Sequence, residues 1–148
     1  MRRNNICSNV IGGAAYHGHH EALEYCLKNV PATNYKYYVD IPSLEEKDDL
    51  TNKNGPFIPE VQGFTPLQLA LVSPKPNYLV VKLLFAYGAD QSIREKSTNN
   101  NIMHLASTSG DIELIKYVVY NASNHADLYE TNIDGDTPLT LCRKSKNK

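Results

Sequence analysis

Apolar residues along this chain recur at three- and four-residue intervals over short stretches, and polar turns interrupt them. In DIELIKYVVYNAS, residues 111–123, the positions Ile112, Leu114, Ile115, Val118 and Val119 share one helical face. In HEALEYCL the same spacing joins Ala22, Leu23, Cys26 and Leu27. This period predicts short amphipathic helices. A third apolar helical pattern, NYLVVKLLFAYGAD, closes on Gly88, which suits a left-handed C-terminal cap. Two further helix starts are written in TPL: Thr65 and Thr137 stand at N-cap positions, each with a proline at the first helical position.

The pattern repeats. GFTPLQLA at 63–70, NNNIMHLA at 99–106 and GDTPLTLC at 135–142 superpose, with Leu67, Met103 and Leu139 each 36 residues apart. Where the chain continues, each is followed by a polar turn and a second helical pattern, so the unit is helix, turn, helix, loop. The register reaches back to VIGGAAYHGHHEALEYCL, which predicts a first helix ending near His17, a turn at Gly18 and a second helix from about His20. There the interval from Ile11 to Leu67 is 56 residues, which implies an insertion over about 29–62. Helices this short cannot bury their apolar faces alone; stacked units can.

These residues resemble the ankyrin repeat, a β-turn followed by two antiparallel helices. The likeness is carried by GFTPLQLA with LLFAYGAD, by IMHLA with SGDIELIKYV, by AAYHGHHEALEYCL and by DGDTPLTL. It implies an all-α solenoid of stacked helix-turn-helix units with β-turn or hairpin loops. Three full repeats and a half are expected: repeat one at about 7–28, the insertion at 29–62, repeat two at 63–98, repeat three at 99–134 and the half repeat at 135–148. The resemblance assigns Gly18 and His19 to a turn and gives His104 the structural task of bracing backbone. The chain departs from the pattern at Pro74 to Pro76, which lengthen the turn of repeat two, and at ASNH after Asn121. Gly12 and Gly13 inside the expected first helix should weaken it by about 0.5–1 kcal/mol each relative to alanine.

Composition narrows the function. Fifteen basic residues against sixteen acidic ones give a formal charge of −1, which argues against a general nucleic-acid binder. No stretch approaches the roughly 18 apolar residues of a membrane span. Cys7, Cys26 and Cys142 are odd in number, widely spaced and without a CxxC pair, which predicts a reducing intracellular, cytoplasmic setting.

The cluster His17, His19 and His20 invites a metal assignment. Zinc needs three or four converging ligands, whereas these three end one helix, lie in a turn and open the next helix, so their rings are expected to point apart. His125 is expected to be solvated. No nucleophile, base and orienting acid can be nominated, and no phosphate-binding glycine loop is present. The expectation is a non-enzymatic chain without cofactor, metal or small-molecule substrate.

What remains is protein recognition. Insertions in repeat arrays map to loops on one face, often the binding face, and the ten tyrosines supply rigid contact area with a polar tip. The expected partner contacts are Tyr16 and His17 at the end of the first helix, Tyr37 and Tyr38 in the insertion, and Gln91 and Arg94 after repeat two. Leu105 and Thr108 on the first helix of repeat three follow, with Tyr129 and Glu130 in the loop before the last helix. For each tyrosine, packing of its own loop is the alternative use. The expected function is binding of a partner protein through the concave face, the loop fingers and the 29–62 insertion. A structural subunit of a large assembly is the alternative, because Leu139, Leu141 and Cys142 have no second helix to cover them and Ile6, Val10 and Ile11 stand close to the chain start.

Overall fold

A computed structural model describes residues 10–30, 39, 40, 42 and 63–146. Among these residues the chain is all-helical, with no strand. The elements are α1 (10–16), α2 (His20–Lys28), α3 (Pro66–Leu71), α4 (Tyr78–Ala86), α5 (Ile102–Thr108), α6 (Ile112–Asn121), a 3-10 turn (His125–Tyr129) and α7 (Pro138–Lys146). No helix among the described residues is long and apolar enough to cross a membrane.

The helices form two rows. In one row α3 packs on α5 and α5 on α7; in the other α2 packs on α4 and α4 on α6. The rows are joined where α3 meets α4 and α5 meets α6. The first helix joins its row through Gly12, where an added Cβ would lie 3.2 Å from Leu69 Cδ1, and through Tyr16, whose carbonyl accepts the Ser73 hydroxyl.

Local chemistry sets the helix ends. Thr65 accepts the Gln68 N–H while Gln68 Oε1 accepts the Thr65 N–H, a reciprocal capping box followed by Pro66. Asn101 and His104 form the same box at α5. Asn77 and Asp111 cap α4 and α6. At the other end of α4, Gly88 has φ 83° and lets the Ala89 N–H reach back to the Leu84 carbonyl at 2.9 Å. Gly18, with φ 72°, does the same for α1: the His19 N–H meets the Ala14 carbonyl at 2.9 Å.

The core runs between the rows. All six residues of α3 are buried, and Ile11, Leu23, Leu27, Leu84, Met103 and Leu114 are closed off from solvent. A buried Leu or Ile contributes about 1.5–3 kcal/mol, more than an interior glycine costs, so α1 persists despite Gly12 and Gly13. Beyond repeat one, Val39 is fully buried and Asp40 accepts the Asp90 N–H at 2.8 Å, which fastens one point of the insertion to the stack.

Candidate functional site

Two loops of similar design project beside α5 and α7. The first, residues 89–100, is organised by Glu95. Its N–H donates to the Asn100 carbonyl and its carbonyl accepts the Asn99 N–H, with Asn99 in the left-handed region at φ 59°. Glu95 is buried, and its carboxylate accepts from the backbone and hydroxyl groups of both Ser97 and Thr98. Burial by itself pushes this carboxyl up, but the bonds from Thr98 and Ser97 together outweigh burial and hold it below its ordinary value of 4.5.

The second loop, 122–137, leans on the first. The Ile133 N–H donates to the Thr98 carbonyl at 2.9 Å, Asn132 Nδ2 to Asn100 Oδ1 at 2.9 Å, and the Ser123 N–H to Gln91 Oε1 at 2.8 Å. Asn132 also closes its own turn by accepting the Asp134 and Asp136 N–H groups. Beneath the loops, Asn101 Nδ2 donates to the Asp127 carbonyl at 3.0 Å, so the N-cap of α5 also carries the 3-10 turn.

Between the loops lies a polar cavity of about 260 Å³, lined by Gln91, Ser92, Arg94, Asn101, Ser123, Asn124, Asp127 and Glu130. Arg94 donates to the Asn99 carbonyl at 3.1 Å and faces Glu130 at 3.7 Å. Three of the expected contact residues, Gln91, Arg94 and Glu130, are thus brought together from two loops. Tyr129 stands next to them in sequence, 81% exposed.

The other expected residues are placed differently. Tyr16 is half-buried, and His17 is exposed with its ring 5.4 Å from that of Tyr16. Thr108 is exposed and spends its hydroxyl on the Leu105 carbonyl. Leu105 itself is 4% exposed and belongs to the core, which corrects its placement as a contact residue: α5 is packed by α3, α6 and α7 together, so little of its circumference remains open. Tyr37 and Tyr38 lie outside the described residues. Sequence reasoning missed Asp127 and Asn124. Their signal was local, since an Asn three residues before an Asp can cap a short turn.

The histidine cluster departs from expectation in one respect. His17 and His19 have rings 6.1 Å apart and tilted by 32°, because the left-handed turn at Gly18 returns the residues flanking it to one edge. His20 turns away, and its Nδ1 lies 3.3 Å from Asn77 Nδ2. Among the described residues no group of three or more His, Cys, Asp or Glu side chains is arranged to hold a metal ion. His125, expected to be solvated, is exposed and also reaches the Val119 carbonyl at 2.9 Å. His104 is fully buried: its Nδ1 accepts the Asn101 N–H, which leaves the ring proton on Nε2 to meet the Asp136 carbonyl.

A second, apolar groove of about 420 Å³ opens beside α7, with Met103, Ile115, Val119, Leu128, Leu139 and Cys142 among its walls. Leu139 is 60% exposed there.

The chain matches no protein-family model and no curated protein.

Proposed function

We propose that this chain is an ankyrin-type repeat array that acts without catalysis, as a module binding a partner protein. Two rows of short helices, the 36-residue register and loops that lean on one another support the array. The α1, α3, α5 and α7 row would form its concave side, with Tyr16, His17 and Thr108 at the groove edge, and the paired loops would be its fingers. The single observation that carries the reading is the cavity that collects Gln91, Arg94 and Glu130 from two successive fingers, beside an exposed Tyr129.

Site-specific photo-cross-linking in native extract tests this. A cross-linker at Ser92 or Tyr129 should capture one defined protein, and Arg94→Ala with Glu130→Ala should abolish the capture. The same group at Lys82 or Lys116, on the second-helix row, should not capture it. Equal capture from both sides, or capture indifferent to the double variant, would overturn the reading.

The apolar groove beside α7 favours a second reading, that of a structural subunit whose exposed Leu139 and Cys142 wall is covered by a neighbouring chain. A subunit of that kind should self-associate or lose its structure when purified alone, whereas a recognition module should remain monomeric and folded.

A further inference from the structure

The finger cavity carries an unbalanced charge. Arg94 on its rim is offset by Glu130, 3.7 Å away. Asp127 is not offset: it is 9% exposed, its Oδ1 accepts Asn124 Nδ2 at 3.2 Å, and no hydrogen-bond donor meets its Oδ2 among the described residues. That oxygen is not sealed from solvent, since among the described residues Gln68 Nε2 alone is a buried side-chain atom without a partner, and it can therefore accept a donor from outside the chain. Because Asp127 lines the cavity, such a donor can reach it from there.

The surroundings have the same sign. The two fingers hold Asp90, Glu95, Asp127, Glu130, Asp134 and Asp136 against Arg94 and Lys96. Lys144 of α7 pairs with Asp136 at 2.8 Å, and Asp40 is drawn to Asp90 from the insertion. The finger side is acidic in a chain whose total charge is only −1. Such a field attracts basic groups and rejects acidic ones.

We propose that the cavity between the fingers is a receptor for a lysine ammonium group presented by the partner. An ammonium is a compact charge with three donors. It would bond the free Asp127 oxygen and share Glu130 with Arg94, whose pairing at 3.7 Å is loose enough to be exchanged. The cavity, at about 260 Å³, holds the head and outer methylenes of one such side chain. This inference rests on the reading of the fingers as a protein-contact face, and it names the chemistry that the face selects.

The test is an amide NMR titration of the isotopically labelled full chain with n-butylammonium chloride. Tetramethylammonium chloride and sodium butyrate at matched ionic strength serve as controls. Saturable shifts are expected at the amides of Ser92, Ser123, Asn124, Asp127 and Glu130 with n-butylammonium alone. Asp127→Asn should weaken that binding by about tenfold or more, as removal of one partner of an enclosed charge pair does. Should Asp127→Asn fail to fold, Glu130→Gln, on the exposed rim, must still weaken it measurably. The proposal is overturned by an absence of saturable shifts at these amides, by an equal response to tetramethylammonium, by saturation with calcium chloride instead, or by indifference to both substitutions. The outcome is separable from the proposed function: a chain that captures no partner can still bind n-butylammonium, and a capture that depends on Arg94 and Glu130 stands even if the titration is flat.

Discussion

His104 Nε2 lies 2.7 Å from the carbonyl oxygen of Asp136, 32 residues further along the chain. Its Nδ1 accepts the Asn101 N–H at 3.1 Å, so one buried imidazole ties the start of its own helix to the turn that opens the next. Repeat two has Gln68 in the equivalent position. There the Oε1 bond to Thr65 N–H is made, but Nε2 is buried without a partner. One repeat is bridged to its successor through this position, and the preceding one is not.

Replacing the bridge should be costly. His104→Ala leaves the Asn101 N–H unpaired in the interior and the Asp136 carbonyl with only the Asn132 N–H; at about 1–3 kcal/mol for the unpaired donor and about 1 kcal/mol for the second lost bond, the expected loss is about 2–4 kcal/mol. His104→Gln should lose less, because a glutamine satisfies the N-cap N–H as Gln68 does. Urea denaturation of the three proteins measures this, and a loss under about 1 kcal/mol for the alanine variant would contradict the bridging role.

The reverse substitution should help. Gln68→His offers an Nε2 donor toward the carbonyl of Asn100, which stands to residue 68 as Asp136 stands to His104. A stabilisation of about 1 kcal/mol is expected for supplying one buried hydrogen bond and removing one unpaired donor. A destabilised variant would show that the space around Gln68 does not admit the ring.

The glycines of the first repeat differ in what they tolerate. Gly13 is helical and a Cβ there meets nothing within 4 Å, so Gly13→Ala should stabilise the chain by about 0.5–1 kcal/mol. At Gly12 the Cβ would press on Leu69 at 3.2 Å, and the gain should shrink or reverse. Gly18 has φ 72°, and a Cβ would fall 2.5 Å from the Lys75 carbonyl oxygen. Gly18→Ala should therefore cost more than the roughly 1–2 kcal/mol of a left-handed non-glycine residue. Thermal unfolding ranks the three variants.

Glu95 predicts an acid limb. Its carboxyl is held below 4.5 in the folded chain, so its contribution is fully present above that value and is lost as pH falls through the lower folded value. Glu95→Gln should remove that part of the pH dependence. It should also destabilise the chain at neutral pH by about 1–3 kcal/mol, because an amide group would face the Ser97 and Thr98 donors. Chemical denaturation from pH 7 down to pH 3 separates the two effects.

The Arg94–Glu130 pair should matter little for folding. Both side chains are partly exposed, and pairs of this kind contribute about 0–1 kcal/mol. Arg94→Ala is expected to leave the unfolding midpoint nearly unchanged, and loss of partner capture at Tyr129 should require Glu130→Ala as well. A large drop in stability would reassign Arg94 to a structural role.

Much of this molecule was legible in its sequence because much of it is local. An N-cap threonine and the glutamine three residues on, a left-handed glycine closing a helix, and an apolar face at helical spacing all act within one or two turns. The spacing alone therefore placed the helix ends at Thr65, Gly18 and Gly88. The 36-residue register likewise predicted that helices must stack, since none buries its face alone. Tertiary structure decided the rest. Leu105 is buried because α5 is covered by three other helices; helical phase does not reveal how many neighbours a helix has. His17 and His19 face one another because of how one turn is wound. The finger cavity, lined by Asp127, is made by residues about 30 apart whose distances depend on how one pair of helices seats on the next, a result of packing summed over many contacts.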